Sequence, residues 1–298
     1  MQGLLLINKP KGLTSFGVVA KIKWLLHTKR VGHTGTLDPM ATGVLPVLVG
    51  RPTVLCSHLL DADKEYIATV RLGITTDTLD ITGNVLSEYD VTVTKEQLVS
   101  TLRGFMGKQL QTPPMYSAIK KNGVRLYDLA REGKDVEREQ REIEILELEL
   151  LEFKENEFKI RVLCSKGTYI RSLADDIGKK LGTGATLTEL QRTKTAGFSI
   201  NECVDLDSLT PENASSFLKS AENAVINYPE IFVSDKQAER FVNGGELSLE
   251  RLHFNAQPNN AEIYRVKNCN RFLGLGEVVS EKSALKIKCL TYHPSDEV

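Results

Sequence analysis

The chain has 298 residues, with 38 Lys and Arg against 39 Asp and Glu, a formal net charge of −1. At 41% hydrophobic and 26% charged residues it has an ordinary globular composition, which excludes a disordered chain and suits one large domain or two ordinary ones. A balance so close to zero argues at first against a nucleic-acid partner, since phosphate binding leaves a basic footprint.

The balance is an average of opposed segments. Residues 1–60 hold seven Lys/Arg and one acid, Asp38, for a net of +6, and residues 166–198 hold six bases and three acids. Residues 136–165 carry five bases and nine acids, and residues 199–298 carry ten and fifteen. The five cysteines are scattered without a CxxC pair, so neither a disulfide framework nor a zinc ribbon is expected. The apolar run Leu4-Leu-Leu-Ile7 lacks a basic stretch before it and a cleavage site after it, so it is not read as a signal peptide. No run of 18 apolar residues occurs, and a cytoplasmic protein that meets no membrane is expected.

In chain order, residues 3–8 form a short buried strand ended by Lys9-Pro10-Lys11-Gly12. Thr14 or Ser15 then caps a helix with Val18, Val19, Ile22, Leu25 and Leu26 on its apolar face. Residues 44–49 and 64–72 are strands, and in the second Tyr66, Ala68, Val70 and Leu72 share a face. Thr94-Lys-Glu-Gln97 is a capping box, followed by Leu98, Leu102 and Phe105 at helical spacing. Residues 108–141 show little periodicity beyond a short helix stopped by Gly133; Pro113-Pro114 and the bases Lys120, Lys121, Arg125, Arg131 and Lys134 mark a polar arm inserted in the main body.

From Ile143 to Ile160 the strand phase slips by one residue, which calls for a bulge. Phe158, Ile160, Val162 and Cys164 alternate along the next strand, and a strongly amphipathic helix follows with Ile170, Leu173, Ala174, Ile177 and Leu181. After about residue 228 short strands with glycine turns predict a separate all-β module. The fold class is α+β rather than a doubly wound sheet.

Common signatures are absent. Gly182-Thr-Gly184 and Gly274-Leu-Gly276 lack the third glycine of a dinucleotide fingerprint, and there is no GK[ST], HExxH or GxSxG. Two other features carry chemistry. The segment Gly32-His-Thr-Gly-Thr-Leu-Asp-Pro-Met-Ala-Thr-Gly43 has three glycines and one carboxylate just after Lys29-Arg30, which suggests close approach by a ligand or another backbone. Asp38 is expected to be ionised in these basic surroundings, although Asp-Pro is also an ordinary turn former. Arg171 stands in the first turn of its helix, where a cation opposes the macrodipole and calls for an anionic partner; Asp175, four residues on, is the local choice.

These motifs give the chain a resemblance to the TruB-type pseudouridine synthase family. It is carried by Leu5-Leu-Ile-Asn-Lys-Pro-Lys-Gly12, the whole Gly32–Pro46 block, Asp63-Lys-Glu-Tyr66 with Arg71-Leu-Gly73, and Thr76-Asp-Thr-Leu-Asp80. Pro113-Pro-Met-Tyr-Ser-Ala-Ile-Lys120, Leu126-Tyr-Asp-Leu-Ala-Arg-Glu-Gly133 and Cys164-Ser-Lys-Gly-Thr-Tyr-Ile-Arg171 with Asp175-Asp-Ile-Gly178 continue it in order to about residue 200. The last 70 residues match loosely, through Phe272-Leu-Gly-Leu-Gly-Glu277.

The resemblance implies a central, mostly antiparallel sheet flanked by helices and loops. It also implies a catalytic domain over residues 1–228 with a thumb-like RNA-binding insertion at 108–141, and a small β-rich PUA-like domain over 229–298. It further implies isomerisation of uridine 55 in the T-arm of tRNA, on a flipped-out base, with no metal or other cofactor, by a monomer needing no protein partner; an accessory role in tRNA folding belongs with it. In this reading Asp38 is the nucleophile, Arg171 its partner, Asp80 an acid of the same network, and Tyr66 the ring that stacks on the flipped base and takes part in proton transfer. His33, Tyr169, Leu190, Lys9 and Lys64 would line the substrate site.

Overall fold

A computed structural model describes residues 1–121 and 123–294. The first half contains β1 (Gly3–Lys9), α1 (Ser15–Leu25), β2 (Val31–His33), β3 (Thr42–Val49), α2 (Cys56–Leu59), β4 (Lys64–Leu72), the hairpin β5 (Ile74–Thr76) and β6 (Val85–Glu88), α3 (Lys95–Arg103) and β7 (Gly107–Gln111). A small hairpin, β8 (Lys120–Lys121) and β9 (Val124–Arg125), leads into α4 (Leu126–Arg131), then β10 (Arg141–Lys154), β11 (Glu157–Cys164), α5 (Ile170–Leu181), β12 (Ala185–Thr195), β13 (Phe198–Ser199) and β14 (Val204–Asp205). The C-terminal part holds β15 (Glu230–Phe232), α6 (Asp235–Val242), β16 (Leu247–Ser248), β17 (Ile263–Asn268), β18 (Arg271–Val279) and β19 (Ala284–Leu290).

Ten strands form the central sheet, in the order β14-β1-β3-β12-β4-β11-β10-β7, with β2 beside β3 and β13 beside β12. Only the β1–β14 and β3–β12 pairs run parallel. Strands β1 and β3 are continuous apolar runs because both their faces are covered. Leu5, Ile7, Leu45 and Val47 pack under Val18, Ile22 and Leu25 of α1, while Leu4, Leu6, Val44 and Leu48 pack against Leu55, Leu59, Val225 and Leu275. Tyr66, Ala68, Val70 and Leu72 share one buried face with Phe158, Ile160 and Val162, covered by Leu173 and Ile177 of α5 and Leu98 and Leu102 of α3. The expected capping box is present: Thr94 Oγ1 accepts from Gln97 N, and the Gln97 side chain accepts from Thr94 N.

The phase slip in β10 is resolved by two register shifts against β11, between Ile145 and Glu147 and between Leu150 and Glu152. The arm is shorter than its sequence suggests. Residues 108–111 belong to β7, which pairs with β10 along Arg141–Ile145, so among the described residues of this stretch only 112–121 and 123–140 lie off the sheet. Lys108-Gln-Leu-Gln111 carries too few apolar side chains to signal a strand, because it lies at the sheet edge with Leu110 exposed.

A second, five-stranded sheet, β15-β17-β18-β19-β16, forms the C-terminal part. It is not all-β, because α6 packs Phe241 and Val242 onto Val266, Leu273 and Leu285. That helix has a capping box between Ser234 and Gln237 that the polar sequence around it obscures. Arg265 of β17 reaches back to the segment before the sheet, pairing with Glu222 and donating from Nε to the Tyr228 carbonyl. Among the described residues no helix is long and apolar enough to cross a membrane.

Candidate active site

The loop from Thr34 to Ala41 joins β2 to β3 and carries Asp38. Three separate contacts hold it. Ser15, buried at the start of α1, accepts from Leu37 N through its Oγ at 2.8 Å. Lys9 donates from Nζ to Pro39 O, Leu13 O and Pro10 O, and Gly12 N donates to Pro39 O at 2.7 Å. Arg192 of β12, with no exposed surface, donates from Nε to Val44 O at 2.8 Å and from Nη2 to Gly35 O at 3.3 Å. The parallel approach of β3 to β12 brings Gly43 so close that a Cβ there would lie 2.2 Å from the Arg192 carbonyl, and its φ of +106° is in the glycine region.

Arg171 Nε lies 2.8 Å from Asp38 Oδ2 as an ion pair, and Nη2 donates to Oδ1 at 3.1 Å, the one hydrogen bond between guanidinium and carboxylate. The fork has further partners: Nη2 donates to Tyr116 O at 2.8 Å, Nη1 donates to Thr78 O at 3.1 Å, and Asp80 Oδ2 lies 3.8 Å from Nη1. Asp80 is itself fixed by Thr78 Oγ1 and by the Thr82 amide and hydroxyl, all donating to its Oδ1. Asp175, the local candidate for pairing with Arg171, is bound instead to Lys179 at 2.6 Å. Arg171 thus faces two carboxylates, which answers its unfavourable place on the helix dipole. Its side chain is 5% exposed while that of Asp38 is 32% exposed, so the pair presents its carboxylate to solvent and keeps the cation inside.

No side chain of Tyr169 caps α5. Gln111, at the end of β7, does this work by accepting from Tyr169 N at 2.8 Å and donating to Tyr169 O at 3.1 Å. The basic arm thus leaves the sheet beside the helix that supplies Arg171, and Tyr116 within it reaches the guanidinium.

Tyr66, Leu190, Leu37 and Met40 share one buried cluster next to this pair. Burial raises the pKa of the Tyr66 hydroxyl, against the opposing charge of Arg192. Tyr169 is raised by burial too, with Asp38 and Arg171 in its field. His33 accepts from Gly35 N through Nδ1 at 3.3 Å; burial and then the Arg192 charge lower its pKa, so its ring is neutral at pH 7. Lys64 donates from Nζ to Leu60 O and Ala62 O, and burial and Arg192 lower its pKa as well.

Lys9 departs from expectation. The family resemblance puts it at the substrate, but it is fully buried and its ammonium is occupied by three carbonyls. Burial lowers its pKa to about 8, even though Asp38 nearby favours the charged form. It positions the Asp38 loop from beneath. Arg192 escapes a reading of the sequence, because a lone arginine in Leu190-Gln-Arg-Thr193 looks like a surface residue on a polar strand. Gln111 and the carbonyls of Thr78 and Tyr116 escape it too, and backbone acceptors have no signature in side-chain identity.

Comparison with known proteins places the chain in a family. The model of the TruB family pseudouridylate synthase N-terminal domain matches residues 23–170, and that of the tRNA pseudouridylate synthase B C-terminal domain matches residues 171–225. The tRNA pseudouridine synthase B of Clostridium tetani is 45% identical over 284 residues, covering 94% of this chain and 97% of that protein. That of Clostridium kluyveri is 42% identical over 277 residues, covering 93% and 95%. Among solved structures, a chain of a Cbf5-Nop10-Gar1 complex superposes with a TM-score of 0.75 at 26% identity, over 98% of this chain and 86% of that one. The chain belongs to the TruB family of pseudouridylate synthases.

Proposed function

We propose that the chain converts uridine 55 in the T-arm of tRNA to pseudouridine, with Asp38 as the nucleophile. The relatives named as tRNA pseudouridine synthases support tRNA as the substrate. The observation that carries the catalytic part is the Asp38–Arg171 pair, an open carboxylate held in a fixed orientation by a buried guanidinium. The reaction breaks the C1′–N1 bond, turns the uracil, and joins C5 to C1′. The proton lost from C5 is balanced by one gained at N1, so every substrate atom is retained and no co-reactant is needed.

A carboxylate so oriented serves attack on the nucleotide or assistance to the departing base. The target lies in a folded loop and must be extruded, and Tyr66 with Leu190 provides an apolar surface beside Asp38 for the flipped uracil. Tyr66 also takes part in proton transfer. Tyr169 closes the pocket, and His33 and Lys64 meet the nucleotide on the Gly35 side. The arm at residues 112–140 acts as a thumb against the loop, whose shape and splayed bases give recognition. Residues 1–228 form the catalytic domain, and residues 229–298 a PUA-like module adding RNA affinity. The enzyme works as a cytoplasmic monomer, with an accessory role in tRNA folding.

A tRNA transcript incubated with the protein should show no mass change and, after carbodiimide and then alkali treatment, keep an adduct that stops primer extension one nucleotide 3′ of position 55. Release of free uracil would identify a glycosylase using the same carboxylate. Binding with neither outcome would leave only an RNA-binding or folding role.

A further inference from the structure

The outer face of α1 takes no part in the site described above. Ser15 opens this helix and holds the Asp38 loop, and Phe16 follows it directly, so the helix starts at the lip of the site. At about 100° per residue, Phe16, Ala20, Lys23 and Trp24 fall within roughly 100° of arc, opposite the buried Val18, Ile22 and Leu25. Phe16 is 72% exposed and Trp24 64% exposed, among the largest exposures of any apolar side chain among the described residues. Eight residues of helix set them about 12 Å apart along its axis.

The charge around this stripe is of one sign. Lys11 precedes the helix, Lys23 lies on the stripe, and Lys29 and Arg30 follow, all four at least partly exposed. Among the described residues none of these four is held in an ion pair, whereas Lys21, on the flank, is bound to Asp207. Asp38 is the one carboxylate in the first 60 residues. Exposed aromatic rings spaced along a basic track suit single-stranded or splayed nucleic acid: rings stack on bases of any identity, and the cations follow the phosphates.

We infer that the outer face of α1 is a second RNA-docking surface, on which nucleotides flanking the target stack on Phe16 and Trp24 while Lys11, Lys23, Lys29 and Arg30 take their phosphates. The inference rests on the RNA substrate proposed above and extends it to a surface outside the catalytic pocket.

Trp24 is the only tryptophan in the chain, so the intact protein carries its own probe. Titration with an unmodified tRNA transcript should quench Trp24 emission along the binding curve obtained independently by filter retention. Trp24→Ala and Phe16→Ala should each weaken binding about tenfold. The double variant Lys23→Glu/Lys29→Glu should lower the salt slope of binding by about two. All should still isomerise saturating RNA. Circular dichroism checks that these exposed substitutions leave the fold intact.

Unchanged Trp24 emission on binding, with affinities within twofold of the parent, overturns the surface while leaving the proposed reaction standing. A dimer formed without RNA and abolished by Trp24→Ala assigns the face to a second copy and overturns it as well. Failure of the protein to bind or isomerise the transcript at all defeats both the surface and the function it rests on.

Discussion

Asp38 and Arg171 are 133 residues apart in sequence, yet the guanidinium meets the carboxylate through two nitrogens, at 2.8 and 3.1 Å. The same guanidinium is tied to the carbonyls of Thr78 and Tyr116, so three other segments converge on one side chain. Its planar fork matches these directions, and a lysine has no such geometry. Arg171→Lys should therefore keep the charge and lose the orientation. We expect kcat to fall at least a hundredfold with RNA affinity changed by less than about threefold, measured in single-turnover and binding assays.

Arg192 bonds to backbone carbonyls and also stands against the Tyr66 hydroxyl. It ties β12 to β3 at Val44 and holds the Asp38 loop at Gly35. Arg192→Met should leave those acceptors unsatisfied in the interior and destabilise the fold by about 2–3 kcal/mol in urea unfolding. The loss of activity should exceed the loss of folded protein, since the loop it pins carries Asp38, the proposed nucleophile.

Gly43 gives a sharper test of the same contact. Its positive φ, and the 2.2 Å that would separate an alanine Cβ from the Arg192 carbonyl, leave no room for a methyl group. Gly43→Ala should separate β3 from β12, with a fall of about 3 kcal/mol or more and poor soluble yield, while Gly12→Ala, in open space at φ +87°, should cost about 1 kcal/mol.

Lys9 makes stability depend on pH. Burial lowers its pKa from 10.5 to about 8 in the folded state. Between those values the unfolded chain binds the extra proton, so stability contributed by this group rises with pH. Below pH 8 both states are protonated and the penalty of burying the ammonium is present in full. Lys9→Met removes the group, so the stability difference between parent and variant should shift in favour of the parent from pH 8 to pH 10 and stay flat from pH 6 to pH 7. A difference that is flat throughout would show that Lys9 titrates normally.

A partly buried charge network ties the C-terminal sheet to the segment that precedes it. Glu222, in the segment leading to the C-terminal sheet, is shared by Arg265 and Lys267. Glu222→Ala leaves Arg265, 9% exposed, without its closest partner and should lower stability by about 3 kcal/mol. Increased proteolysis between residues 217 and 230 would place the loss at this junction.

Features that rest on side-chain pattern are legible in the sequence. The alternation of Tyr66 to Leu72, the Thr94 capping box and the one-residue slip of β10 all appear where periodicity and capping rules put them. Arg171 is legible by its electrostatic misfit at a helix start, although the alternation of apolar residues offers no way to choose Asp38 over Asp175 as its partner. What stays hidden depends on burial that defies composition. Lys9 and Arg192 are among the largest fully buried side chains, although residues of both types usually face solvent. β12 is equally obscure, because two register shifts against β4 break its alternation and threonines fill much of it.

The measurement that bears most directly on the role of Asp38 is a comparison of the parent with Asp38→Asn on an unmodified tRNA transcript. The substitution keeps the side chain's size and removes its charge. The account predicts that the variant binds the transcript within a few-fold of the parent and forms no pseudouridine at position 55, even after prolonged incubation at saturating enzyme. Turnover by the variant at a rate comparable to the parent would contradict it, and the nucleophile would have to be sought elsewhere.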